Sequence, residues 1–238
     1  MSDAPRTAAP RLQRSYGRKL GRSLRPSQRD LLTNSLAKFA VSLPTDGQEV
    51  DPVLLFPDAP SEIWLEIGFG AGEHLIGQAL AHPEVGCIGC EPYMNGVAAL
   101  LARAKRVGLN SIRIFPNDAC LLIDRLRPAS IDRLFILFAD PWPKRKHHKR
   151  RLIRPETVAA FERVLRPGGE LLFATDDMGY ARWTLALLSE RDSLQWCARR
   201  PLDWRTAPDG WIVTRYQQKA LARNASCVYL RFRRVLAA

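Results

Sequence analysis

From Ser61 onward, apolar and polar positions fall into blocks that read in turn as strand and helix. Ile63-Trp-Leu-Glu-Ile67 is a strand, and Glu73–Ala81 carries the spacing of a helix. Val85–Cys90 reads as a second strand and Asn95–Val107 as a second helix, closed by Gly108. A third strand, Ile112–Phe115, precedes a short helix over Ala119–Leu126. Leu134–Ala139 is wholly apolar, as a central parallel strand covered on both faces should be. Pro155–Val164 is a helix with proline in its first turn, and Arg166-Pro-Gly-Gly169 turns the chain into a strand over Glu170–Ala174. A helix over Tyr180–Ser189 and a closing strand over Cys227–Phe232 complete the pattern. This alternation predicts an α/β fold with a doubly wound, mostly parallel sheet.

Upstream the pattern changes. Residues 1–28 are rich in Arg, Ser, Pro and Gly and read as a flexible basic arm. Asp30–Val41 has helical apolar spacing and reads as one amphipathic helix, and Pro44–Pro60 is punctuated like a linker. The chain therefore divides into an arm over 1–28, a helix and linker over 29–60, and a domain over 61–238.

Charge sharpens the picture. The net charge is +12, but residues 1–38 hold nine Lys/Arg against two acids, and residues 199–238 hold the same. Between them lie eighteen cations and twenty acids, with six of the eighteen between Lys144 and Arg151. A basic periphery around an acidic centre suits a polyanion gripped outside a pocket that takes something else. No apolar run approaches the roughly 20 residues of a membrane span, and the polar start is no secretory leader, so a cytoplasmic protein is expected. The five cysteines are odd in number and scattered. Cys87-x-x-Cys90 lies in a strand-like run without a second pair at metal spacing, so buried thiols are expected and no metal site.

Glu66-Ile-Gly68-Phe-Gly70-Ala-Gly72 joins the first strand to the first helix. A dinucleotide loop would read G-x-G-x-x-G, with pyrophosphate on the helix end. Here the third glycine comes one position early and Glu73 stands in its place, where a carboxylate would repel a pyrophosphate. Glu66 adds a second acid. Glu91 ends the second strand, where it could accept from ribose hydroxyls; Asp118 follows the third, as an adenine contact or simply a helix cap; Asp140 ends the fourth. Four acids along the carboxyl edge of a parallel sheet predict a cationic or zwitterionic ligand, as adenosylmethionine is.

Asp140-Pro-Trp-Pro-Lys144 is stiffened by its two prolines and runs into Arg145-Lys-His-His-Lys-Arg-Arg151, a phosphate-binding strip. Trp142 reads equally as a stacking surface or as a core residue. At these residues the chain resembles the bacterial tRNA (guanine-N7)-methyltransferases. Arg14-Ser-Tyr-Gly17, Leu65-Glu-Ile-Gly-Phe-Gly70, Asp140-Pro-Trp-Pro-Lys144 with Lys149-Arg-Arg151, Phe173-Ala-Thr-Asp176 and Thr214-Arg-Tyr-Gln217 match in family order. The resemblance implies the seven-stranded, Rossmann-like sheet of class I methyltransferases, S-adenosyl-L-methionine as methyl donor and tRNA as partner, with 7-methylguanosine at position 46 of the variable loop as product. It implies that Glu66, Glu91, Asp118 and Asp140 contact the cofactor beside Gly68, Gly70 and Gly72, with Asp140 also catalytic. It places Lys144, Asp176, Thr214, Arg215, Tyr216 and Gln217 on the substrate guanine, and Lys146, His147, His148, Lys149, Arg150 and Arg151 on the RNA. The family usually has Glu where Gln217 stands, so the role of that position is open.

Three other readings compete. An NAD-dependent oxidoreductase would share the fold and Glu91, but the glycine spacing and Glu73 oppose it. A non-catalytic RNA-binding module explains the arm and strip, but not acids ending four strands. Amino-methylating enzymes carry a related Asp-Pro-Pro-Trp/Tyr loop.

Overall fold

The computed structural model describes residues 12, 16–17 and 21–236, and most of the basic arm lies outside the described residues. In chain order the elements are α1 (Pro26–Asn34), α2 (Leu36–Phe39), β1 (Glu62–Ile67), α3 (Glu73–Ala81), β2 (Val85–Cys90) and α4 (Met94–Val107). Next come β3 (Ile112–Phe115), α5 (Ala119–Ile123), β4 (Ile131–Leu137), α6 (Pro155–Val164), β5 (Leu165–Thr175) and α7 (Met178–Ser189). The chain closes with β6 (Leu194–Trp196), α8 (Leu202–Arg205), α9 (Arg215–Leu221) and β7 (Val228–Arg234).

The seven strands form one sheet in the order β3-β2-β1-β4-β5-β7-β6. β1 to β5 run parallel, and β7 is antiparallel to both β5 and β6. The order reverses between β1 and β4, the switch point where open α/β sheets leave a crevice. Along β1 the pleat sends Ile63, Leu65 and Ile67 into one apolar layer, with Phe161, Phe173 and Tyr180. Trp64 faces the other layer, with Leu75, Leu100 and Phe135.

The fourth strand begins and ends earlier than its apolar run suggests. Asp132 interrupts the pattern, yet it is buried within β4: its carboxylate accepts from the Ile63 N–H at 2.6 Å and pairs with Arg166. At the other end Phe138 has φ 54° and turns the chain out of the sheet, so Asp140 stands three residues beyond the strand. The Arg166–Gly169 turn becomes a bulge inside β5, where Ile131 pairs with Leu165 and Arg133 with Glu170. The single helix expected over Asp30–Val41 is two, broken at Ser35 and ended at Phe39, where Ala40 and Val41 leave to dock on the edge of β3. Phe39, Val41, Val50 and Phe56 are buried, so the helix-and-linker stretch forms part of the domain core. Cys87 and Cys90 are free buried thiols, their pKa values pushed up by burial, Cys87 to about 12.

Candidate active site

At the carboxyl edge of β1, β2 and β4 lies a cavity of about 470 Å³, within the range of a small-molecule site. The glycine loop forms its floor. Gly68, Gly70 and Gly72 have φ values of 75°, 58° and 77°, the left-handed region where a side chain is strained. Gly72 caps α3, and a Cβ there would stand 2.4 Å from Leu100 Cδ1, so it shapes the loop without lining the cavity. The first turn of α4 presses on the same loop. A Cβ on Gly96 would lie 2.3 Å from the carbonyl oxygen of Gly70. The sequence reading does not single out Gly96; the signal that could have found it is an isolated glycine within a helical pattern, which usually has a packing reason.

Glu91 joins loop to cavity. Its carboxylate accepts the Gly70 N–H at 2.8 Å and the Tyr93 N–H at 2.9 Å. Burial raises its pKa first of all, the two N–H groups lower it, and the charges of Glu66 and Asp140 raise it again. The charges of Glu66 and Asp140 thus oppose ionisation of Glu91, and a positive ligand beside Glu91 relieves that repulsion. Tyr216 at the mouth shows the same field: burial raises its phenol pKa, and Glu91 and Asp140 raise it further. The Tyr216 ring would stand 3.3 Å from a Cβ on Gly70.

Asp140 is exposed and lines the opposite wall with Phe138 and Trp142. Trp142 has φ 44°, a conformation that costs about 1–2 kcal/mol for a bulky residue and persists only where its surroundings enforce it. Two arginines do so. Arg151 Nε donates to the Pro141 carbonyl at 2.8 Å, and the Arg150 guanidinium lies 4.9 Å from the Trp142 ring. Arg151, expected on the RNA, is 3% exposed, its guanidinium 5.1 Å from both Tyr180 and Trp183. It braces the loop from beneath. Truncating it as Arg151→Ala should lower stability by about 2–3 kcal/mol and reduce turnover as well, read by denaturant unfolding and initial rates.

The other expected residues fall into three groups. Glu66 lies under the loop, outside the cavity lining: its carboxylate meets His74 Nδ1 at 2.8 Å, and His74 Nε2 lies 3.1 Å from the Gln78 amide. Asp118 caps α5 by accepting the Cys120 N–H at 3.0 Å, while its neighbour Ala119 lines the cavity. Asp176 follows β5 and pairs with Arg223 at 3.3 Å; Thr214 caps α9, accepting the Gln217 N–H at 3.2 Å, and Arg215 is exposed. Lys144, Lys146 and Lys149 are exposed in or beside the turn Arg145–Arg150, where His147 packs edge-on to Trp142 and His148 on Trp183. The His147 pKa is lowered by partial desolvation and then by Arg150, Lys146, Lys144 and Lys149, so it adds little charge to the strip at neutral pH.

Gln217 points inward. Its Oε1 accepts the Trp211 indole N–H at 2.6 Å and its Nε2 donates to the Tyr229 hydroxyl at 2.7 Å. An amide spans these two partners without a charge, which accounts for a neutral residue here. Gln217→Ala should lower stability by about 2–3 kcal/mol through the orphaned partners, measured by urea unfolding; Gln217→Glu should recover most of it.

A larger cavity of about 760 Å³ lies on one face of the sheet, floored by mid-strand residues Phe135, Leu172 and Tyr229 and walled by the 197–211 segment. It lacks the glycine loop and Asp140. Among the described residues no cluster of three or more His, Cys, Asp or Glu could hold a metal, and no helix is long and apolar enough to cross a membrane.

Comparison with known proteins decides the family. The family model described as "Putative methyltransferase" matches residues 60–230. A tRNA (guanine-N(7)-)-methyltransferase from Rhodospirillum rubrum is 45% identical over 93% of this chain and 88% of its own. The chain belongs to the tRNA (guanine-N7)-methyltransferase family. A second member, from Ruegeria pomeroyi, is 44% identical over 92% of this chain and 94% of its own. Among solved structures, a single-residue mutant of the 16S rRNA (adenine(1408)-N(1))-methyltransferase from Catenulisporales acidiphilia superposes with a TM-score of 0.51 at 18% identity, covering 80% of this chain and 96% of that one. The 16S rRNA methyltransferase KamB gives 0.50 at 14% identity, with coverage of 74% and 89%. At that identity they show the shared fold alone, a class I methyltransferase sheet.

Proposed function

We propose that the protein transfers a methyl group from S-adenosyl-L-methionine to N7 of guanine 46 in the variable loop of tRNA. Family membership carries the reaction, and the acid-rich cavity at the switch point carries the cofactor. The residues fit that group: the Glu91 carboxylate, whose ionisation burial and the charges of Glu66 and Asp140 oppose, favours its positive charge, and the left-handed glycines let the backbone come close. Glu91 and the backbone of Gly68 and Gly70 would hold it, with Glu66 and Asp118 supporting the loop and the cavity edge from behind.

When bound, adenosylmethionine supplies an already activated methyl group, and guanine N7 has a free lone pair at neutral pH. No residue needs to act as a general base. The work of this chain is placement and charge. The Asp140–Pro143 loop, braced by Arg151, holds a carboxylate and the Trp142 ring at the cavity wall. Trp142 offers a stacking surface for a guanine drawn out of the tRNA stack, and Asp140 stabilises the positive charge the purine acquires. Asp176, Lys144 and the Thr214–Gln217 segment would serve the substrate, Gln217 by anchoring α9 to Trp211 and Tyr229. Lys146, Lys149 and Arg150 would meet phosphates, with His147 and His148 packed on Trp142 and Trp183 beside them. The reading makes this a cytoplasmic enzyme. Paired transcripts test the position: guanine at 46 should accept one methyl group per tRNA, and adenine there should accept none. Equal incorporation into both would refute the assignment of position 46.

A further inference from the structure

The N-terminal segment contributes to the cavity through residues that lie far away in sequence. Tyr16 and Gly17 line it together with the glycine loop, and the Arg150 guanidinium that packs on Trp142 also lies 5.6 Å from the Tyr16 ring. Among the described residues, the backbone of Leu12, Gly21 and Arg22 meets the domain through side-chain hydrogen bonds. The Leu12 N–H donates to Asp124 Oδ2 at 2.9 Å, beside the end of α5. The Gly21 N–H donates to Asn95 Oδ1 at 3.2 Å, and Asn95 Nδ2 donates to the Arg22 carbonyl at 2.9 Å. The backbone comes close: a Cβ on Gly17 would stand 3.3 Å from Pro92, and one on Gly21 only 2.0 Å from the Tyr93 hydroxyl. Asn95 lies in the first turn of α4, next to the Gly96 that abuts the cofactor loop.

We propose that Asn95 is a positioning residue for the cofactor: its carboxamide clamps the backbone of Gly21 and Arg22, and so seats Tyr16 and Gly17 as the outer wall of the cavity. The chemistry of the clamp is specific. The clamp uses an acceptor and a donor on separate atoms of one short side chain, which the asparagine amide supplies. Aspartate keeps the acceptor for Gly21 and loses the donor for Arg22. The effect falls on cofactor retention, because Tyr16 and Gly17 line the same cavity as Gly70 and Glu91. The exposed cations of the strip, which face outward, are not held by Asn95.

This inference rests on the adenosylmethionine reading of the cavity, and the test separates the two. Adenosylhomocysteine is titrated by calorimetry into the full chain, Asn95→Ala, Asn95→Asp, Tyr16→Ala and the Tyr16→Ala/Asn95→Ala double variant. Steady-state KM for adenosylmethionine and for tRNA is measured alongside. Asn95→Ala should weaken adenosylhomocysteine and raise the adenosylmethionine KM about tenfold, with kcat and the tRNA KM within about twofold. Asn95→Asp should fall between, and the double variant should be no weaker than Tyr16→Ala, since both act through one wall. Unchanged affinity in Asn95→Ala would overturn the proposal. So would additive losses, or a loss that tracks the fall in melting temperature across the variants, because either would make Asn95 a mere stabiliser of α4. An unsubstituted chain that binds no adenosylhomocysteine would overturn the cofactor reading, and this inference with it.

Discussion

Asp140→Ala should reduce kcat by about 100- to 1,000-fold while leaving the melting temperature within about 2 °C of the parent. The two halves of that expectation have separate causes. Asp140 is exposed at the end of a loop whose shape is enforced elsewhere, by Arg151 on the Pro141 carbonyl and Arg150 on the Trp142 ring. Removing its carboxylate leaves both of those arginine contacts in place. The carboxylate nonetheless belongs to the field around the cavity, since its charge is felt at both Glu91 and Tyr216. Methylation at N7 puts a positive charge on the purine, and a fixed carboxylate at the reacting centre stabilises that charge as it develops. Asp140→Asn keeps the shape and removes the charge, so it should recover little of the rate. Undiminished turnover in Asp140→Ala, measured at saturating adenosylmethionine, would remove Asp140 from the chemistry.

Gly96→Ala should destabilise the protein by about 1–3 kcal/mol and weaken adenosylhomocysteine binding by roughly tenfold or more. In an ordinary helix position the same change stabilises by about 0.5–1 kcal/mol, so the sign itself is informative. Here the added Cβ would meet the Gly70 carbonyl oxygen at 2.3 Å, and that oxygen is backbone with no rotamer to yield. Either α4 or the glycine loop must move. If the loop moves, Gly70 draws away from the Glu91 carboxylate that now accepts its N–H. Urea unfolding and calorimetry on the same preparation read both effects. A variant more stable than the parent, with unaltered binding, would show that the contact is not maintained in solution.

The ends of α3, β2, β3 and α6 are legible in the chain to the residue, because apolar runs there are bounded by glycine, proline or a capping side chain. β4 is blurred by Asp132, a buried carboxylate whose partners come from β1 and from the bulge of β5. Strands of three residues such as β6, and helices as short as α8 and α9, carry too few positions for a period to show. Glu91 reaches the cavity from the residue just past β2, whereas Asp140 reaches it from a turn three residues past β4, which the unbroken apolar run up to Ala139 conceals. Glu66 has the same spacing, but the pleat turns it to the opposite face, onto a histidine supplied by the next helix. In a run of six cations nothing distinguishes Arg151 from its neighbours. Only the three-dimensional packing of Tyr180 and Trp183 around it shows that it is buried. Gln217 stands out in the sequence as a departure from a family pattern, yet its partners Trp211 and Tyr229 lie on other elements and give no local signal.

The product tests the central claim most directly. Unmodified tRNA transcript is incubated with the full chain and adenosylmethionine, digested to nucleosides and resolved by liquid chromatography with mass spectrometry. The expected result is 7-methylguanosine, absent when the Asp140→Ala variant is used for the same short incubation. N6-methyladenosine in its place, or no methylated nucleoside from a folded protein that binds adenosylhomocysteine, would contradict it.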